Sequence, residues 1–164
     1  MAEKDFVTGK LKFTVSSTFS LRDVYGLIIS WCKKHNFDSY DKENAEFQKK
    51  ESKDTLIKIE ADRIEDEYHK SRIKVRIMGQ GLEHVKRKDQ MAYKGKITVI
   101  IEGLMLLDYQ AKWDAPFTLQ FLRALWDKYT DASSRVRYTK ELYTEVYDLY
   151  HELQSFFRVE HFKR

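Results

Sequence analysis

Residues 70–77 read Lys-Ser-Arg-Ile-Lys-Val-Arg-Ile, with basic side chains at every even position and Ser71, Ile73, Val75 and Ile77 between them. A period of two is the mark of a strand with one face in a core and the other in water. Ile73, Val75 and Ile77 are therefore predicted to face inward, and Lys70, Arg72, Lys74 and Arg76 outward. Just upstream, residues 55–62 repeat the pattern through Ile57, Ile59 and Ala61, and Ile64-Glu65-Asp66-Glu67 reads as the turn joining the two strands. Downstream, Gly79-Gln80-Gly81 reads as a second turn, residues 82–88 as a short strand, and Lys88-Asp89-Gln90 as another turn. The longest strand then runs from Lys96 to Tyr109. Its first half alternates through Ile97, Val99 and Ile101. Its second half, Leu104-Met105-Leu106-Leu107, is apolar on both faces and needs a cover. Gly103, where the pattern changes, reads as a bulge.

On either side of this β-rich centre the pattern changes. Residues 10–16 alternate through Leu11, Phe13 and Val15, a half-buried strand, and residues 43–50 form a weak strand through Ala45 and Phe47 before the turn at 51–54. Between them, Ser20 with Asp23 is a variant of the capping box, and Phe19 is placed to staple onto Val24. The helix that follows, 21–35, has Leu21, Val24, Tyr25, Ile28 and Cys32 at helical spacing, with Trp31 at the margin. Gly26 inside it costs ~1 kcal/mol against Ala, which points to close packing on the sheet. The C-terminal third is helical. Asp114-Ala115-Pro116 starts a helix carrying Phe117, Phe121, Leu122, Leu125 and Tyr129, and after a break at 131–134 a long helix runs to about residue 160. That helix has two stripes: Leu142, Val146, Leu149, Leu153 and Phe156, predicted to pack on the sheet, and Tyr143, Tyr147, Tyr150 and Phe157, a candidate interface that includes a homodimer seam.

The order β-α-β-β-β-β-β-α-α implies an α+β fold: a twisted antiparallel sheet of about six strands, with one N-terminal and two C-terminal helices packed on one face. The chain has 164 residues, 42% of them hydrophobic, and neither an internal repeat nor a linker rich in Gly, Ser or Pro, so 1–164 reads as a single domain. A long final helix across such a sheet resembles the helix-grip architecture of the START and polyketide-cyclase-like proteins. The order departs from that family by having one helix, not two, after the first strand and by adding a second C-terminal helix. The stretch Leu107-Asp108-Tyr109, Lys112-Trp113, Pro116-Phe117, Phe121-Leu122-Arg123 and Asp127-Lys128-Tyr129, followed by a long helix, is similar to a small family of archaeal hypothetical proteins. That likeness covers mainly residues 97–157. It implies a single cytoplasmic domain and transfers no site, since the family carries no assigned activity.

The chemistry-bearing residues are sparse. A lone cysteine, Cys32, excludes an intramolecular disulfide framework and a multi-cysteine zinc site. Cys32 and His35 share a helix turn, but no second pair completes a zinc set, so they read as a buried cysteine beside a helix-ending histidine. His151 and His161 are too far apart for the metalloprotease pattern, and Gly79-x-Gly81 lacks the rest of a phosphate-cradling loop. Glu65, Asp66 and Glu67 read as turn residues. No catalytic residue, metal or cofactor is assigned on these patterns, and binding is favoured over catalysis. No apolar run approaches the ~20 residues of a membrane span, and Met1–Asp5 lacks the apolar core of a signal peptide, so the expected address is the cytoplasm.

The charge is uneven. The chain carries a net +4, yet residues 68–96 hold nine Lys or Arg against Glu83 and Asp89 alone. A hairpin centred near residue 66 would set Lys70 against Asp62 and Arg72 against Glu60, which are ordinary cross-strand ion pairs. A second hairpin about Gln80 would set Arg76 opposite His84, Lys74 opposite Lys86 and Arg72 opposite Lys88, with Lys96 beyond Lys86. Like charges directly opposite one another are destabilising, and an anionic ligand would turn that cost into binding. The candidate anion- or nucleic-acid-binding set is therefore Arg72, Lys74, Arg76, His84, Lys86, Lys88 and Lys96, with RNA, a ribonucleoprotein surface or another polyanion as partner. No stacking aromatics are evident on that face. Two other functions fit the pattern. One is a carrier of a small apolar ligand, in a cavity lined by Ile101, Met105, Phe121 and Leu149; the other is a structural homo-oligomer built on the last helix.

Overall fold

The alternation in the middle of the chain closes into one sheet. A computed structural model of the chain describes residues 3–87, 90–107, 109–110, 125 and 132–162. In chain order the elements are β1 (Glu3–Phe6), β2 (Leu11–Phe19), α1 (Leu21–Lys34), β3 (Asp38–Gln48), β4 (Lys53–Ile64), β5 (His69–Arg87), β6 (Gln90–Leu107) and α2 (Ala132–Phe162). All strand pairings are antiparallel, in the order β1-β6-β5-β4-β3, with β2 also on β6. β1 and β2 lie end to end along the same edge of β6, β1 against residues 104–107 and β2 against residues 93–101. The fold is thus α+β with a six-stranded antiparallel sheet and, among the described residues, two helices. The helix expected over 117–129 lies outside the described residues, Leu125 excepted.

Each element follows from local chemistry. At the start of α1 the Ser20 side chain accepts the Asp23 amide at 3.3 Å, as its capping pattern predicts. The helix ends in a Schellman pattern, with Asn36 N–H donating to the Lys33 carbonyl and Phe37 N–H to the Cys32 carbonyl. Asn36 takes the left-handed conformation this stop requires, at φ 59°. Between β4 and β5, Asp66 accepts the amides of Tyr68 and His69 at 2.8 and 2.7 Å, so this carboxylate builds the turn.

Both helices pack on one face of the sheet. Ile57, Ile59, Ala61, Ile73, Val75, Ile77, Ile97, Val99 and Ile101 all point into a single core with Val24, Ile28 and Trp31 of α1 and Leu142, Val146, Leu149 and Leu153 of α2. The buried face predicted from the alternation is the one observed. Gly103 sits directly under α2, where an added Cβ would lie 2.8 Å from Val146 Cγ2. The bulge expected at Gly103 is in the opposite strand: Val7 and Thr8 both donate their amides to the Gly103 carbonyl, and this irregularity separates β1 from β2. Gly26 does not touch the sheet; the space beside it is open, contrary to the close packing expected there. Leu104 and Leu106, on the outer face, are also buried, so this end of the sheet is closed on both sides as its composition requires.

The largest departure lies at Gly79-Gln80-Gly81. These residues make no hairpin turn. β5 runs through them as one 19-residue strand, with a bulge between Gln80 and Glu83 where it pairs with β6. Gly81 supplies the positive φ, 60°, and Leu82 turns fully inward onto Gly79 and Gly95. A Cβ at Gly79 would fall 2.6 Å from Leu82 Cδ1 and one at Gly95 2.8 Å from the Gly81 carbonyl, so all three glycines make room for this bulge. Glycine serves a bulge and a turn through the same conformational freedom, and composition alone does not separate them.

Candidate functional site: the outer face of the sheet

The bulge decides which side chains of β5 share a face. Before it, Arg72, Lys74 and Arg76 pair with Leu104, Glu102 and Ile100 and point away from the helices. After it, His84 and Lys86 pair with Tyr93 and Met91, whose side chains line a cleft beside Leu21 and Tyr25 of α1. The inserted residue moves His84 and Lys86 to the helix-bearing side. The expected oppositions of Arg76 with His84 and Lys74 with Lys86 are therefore absent. Lys88 lies outside the described residues. Lys96 does belong to the outer face, between Ser16 of β2 and Gln80 of β5.

The hairpin between β4 and β5 is also shifted by two residues from the predicted register, with Asp62 opposite Arg72 and Glu60 opposite Lys74. Faces are preserved and the ion pairs form. Arg72 grips Asp62 through two bonds, Nε to Oδ1 at 2.6 Å and Nη2 to Oδ2 at 2.8 Å, and Lys70 adds a third at 2.7 Å. Arg72 and Lys74 reach Glu60 at 3.4 and 3.7 Å. Burial pushes the Asp62 carboxyl up, but the bonds from Arg72 and Lys70 outweigh it and hold the group below the usual carboxylate range. The bonds to Asp62 hold the Arg72 guanidinium above its ordinary value. The Tyr40 hydroxyl donates to Glu60 and Asp62, and burial together with the Asp62 charge pushes it up to about 12. Lys70, Arg72 and Lys74 are thus tied into a network with two carboxylates.

Beyond this network the balance changes. Arg76 stands directly opposite Lys58, so a like-charge pair does exist, though not where the sequence pattern places it. Lys58 turns to Glu43 across β3, and Lys10 reaches Glu102 at 3.6 Å. Arg76, Lys12, Lys94 and Lys96 are exposed and make no ion pair among the described residues. Lys12 and Arg76 flank Ile100 from either side, and Lys96 and Lys94 follow on β6 two and three outward-facing positions away, four and six residues from Ile100. Alternate residues on a strand are ~7 Å apart and neighbouring strands ~5 Å, so the four cations fall within about 25 Å. A shallow depression of about 110 Å³ lies among Lys42, Lys58, Lys74, Arg76 and Glu102.

Aromatic side chains are also present on this face, contrary to the expectation from the sequence. Phe47 is paired with Asp54 and is 61% exposed; Tyr40, opposite Glu60, is 37% exposed. Ala45 and Phe47, the apolar residues through which their strand is read in the sequence, point outward. β3 is an edge strand, bulged between Asp41 and Glu43, and its helix-side positions at this end are Asn44 and Glu46, which line the cleft. The signal that reveals this face is the register: Ala45 falls opposite Leu56, an outward position of β4.

The remaining candidates are accounted for by packing. The Cys32 thiol is fully buried, and burial pushes it up to about 11, away from reactivity. His35 stacks on Trp31 at 4.0 Å, with Glu145 and Asp148 of α2 3.7 and 3.8 Å from its ring nitrogens. Arg63 bonds Glu145, Glu65 and the His35 carbonyl, which joins α1, β4 and α2 in one clasp. Among the described residues no group of three or more His, Cys, Asp or Glu side chains is placed to hold a metal ion. On α2, Phe157 is buried against Phe13 and Phe19 and so belongs to the core, whereas Phe156 is half-buried. Tyr150 packs edge-on to Phe13; Tyr147 is half-buried and Tyr143 exposed, their rings 4.6 Å apart. No described helix is long and apolar enough to cross a membrane. No protein-family model and no curated protein sequence matches the chain.

Proposed function

We propose that this chain is a non-enzymatic binding domain whose outer sheet face takes an anionic partner, RNA or a ribonucleoprotein surface foremost. One observation carries the reading: Lys12, Arg76 and Lys96 stand exposed together on a face that neither described helix covers, with no carboxylate opposite them in the sheet, and Lys94, which stands opposite Glu83, lies beside them. The candidate set drawn from the sequence is thereby re-centred. Arg76 and Lys96 stay in it, Lys12 and Lys94 join it, and Arg72 and Lys74 serve mainly to hold the sheet together. Phosphate contacts of this kind give affinity without sequence readout. The carrier reading suggested by the helix-grip likeness has less support, because Ile101, Met105 and Leu149 are fully buried in the core; Phe121 lies outside the described residues.

The test is retention on immobilised heparin and binding of a labelled RNA, for the wild type and for Lys12→Gln/Arg76→Gln/Lys96→Gln. All three positions are exposed, so the variant is expected to fold as the wild type does and to lose retention. A wild-type protein with no salt-dependent retention would remove the proposal.

A further inference from the structure

We infer that the occupant of the outer face is a single-stranded nucleic acid and not a duplex; the inference rests on the anionic-partner reading above. Its basis is the row of side chains that crosses the sheet between the free cations. Ala45 pairs with Leu56, Leu56 with Met78, Met78 with Thr98 and Thr98 with Thr14, a continuous line from β3 to β2 with Phe47 beside its β3 end. Five strands at ~4.8 Å spacing make this line roughly 20 Å long. Ala45, Leu56 and Met78 are half-buried, so they offer apolar surface without being closed off. One row along the strands in one direction lie Lys12 and Arg76; one row in the other lies Lys96.

A line that is apolar from β3 to β5, closed at its other end by the bonded hydroxyls of Thr98 and Thr14 and with cations on both sides, matches a polymer that presents flat apolar faces and negative charge together. A single strand does so: its unstacked bases lie on aromatic and apolar side chains while the phosphates reach the lysines and arginines. A duplex keeps its base faces stacked inside, so Phe47, Leu56 and Met78 would meet only phosphate and groove edges and gain nothing. Phe47 is the most exposed aromatic beside this line and the side chain best placed to stack on a base.

The experiment compares a labelled oligouridylate, the matching RNA duplex, heparin and anionic phospholipid vesicles, for the wild type and for Phe47→Ala. Phe47 is a surface residue on an edge strand, so its replacement leaves the fold intact. The wild type is expected to bind the single strand at least tenfold more tightly than the duplex. Phe47→Ala is expected to weaken single-strand binding by about 5-fold or more, the scale of one base–aromatic stack, with heparin retention unchanged. Equal or tighter binding of the duplex overturns the inference, as does single-strand binding indifferent to Phe47. Retention on heparin or vesicles without single-strand binding overturns it too, while leaving a polyanion-binding face intact; failure to bind any of the four removes both readings.

Discussion

Arg72 and Arg76 are four residues apart on one strand and point the same way, yet their surroundings give them different tasks. Arg72 satisfies both oxygens of Asp62, a carboxylate that the fold has largely withdrawn from water. Arg72→Gln is expected to cost about 1–3 kcal/mol, the scale of a buried acceptor left unsatisfied, with little change in polyanion binding. Arg76→Gln is expected to do the reverse, and denaturant melts read beside heparin retention separate the two. The depressed carboxyl of Asp62 adds a pH signature. Its contribution to stability is fully present above the ordinary carboxylate value, ~3.9, and is lost as pH falls through the depressed folded value. Asp62→Asn should therefore be less stable than wild type at pH 7, with a shallower decline into acid. Gly26 makes the simplest case: it lies in mid-helix with open space beside it, so Gly26→Ala should stabilise the fold by about 0.5–1 kcal/mol in the same melts.

At the scale of elements, periodicity is informative wherever one face is buried. The alternation through Ile57, Ile59, Ile73, Val75, Ile77, Val99 and Ile101 reveals the central strands and their inner face because each of these residues meets the core. α1 is legible from its cap to its end for the same reason. The stripe Leu142, Val146, Leu149 and Leu153 is fully buried as its spacing implies, and Leu149→Ala is expected to cost ~2–5 kcal/mol in a denaturant melt. Hidden in the sequence are the positions where two readings share one composition. Gly79-Gln80-Gly81 suits a turn as well as a bulge, and Phe47 on an exposed edge strand looks like a core residue until its register is known. Phe156 and Phe157 are neighbours on a helix, about 100° apart, and only the position of Phe13 and Phe19 decides which of them goes inward.

At the scale of the whole molecule, the six strands expected and the six observed are not the same six. One predicted turn is absorbed into β5, and β1, which carries no alternation long enough to notice, takes the place of the missing strand at the other edge. The class survives this exchange because it depends on both helices covering one face. The candidate site does not survive it intact, because a one-residue bulge reassigns every side chain that follows. The result is a sheet with its two described helices on one side and, on the other, four exposed cations around a line that is apolar from β3 to β5. The most direct test of that arrangement is the salt dependence of oligouridylate binding for the wild type and for Lys12→Gln/Arg76→Gln/Lys96→Gln. If the three cations meet phosphates, the slope of log affinity against log salt should become shallower by about 2, at ~0.7 for each phosphate no longer neutralised on a single strand. An unchanged slope would put any binding elsewhere on the molecule and contradict the assignment of the outer face.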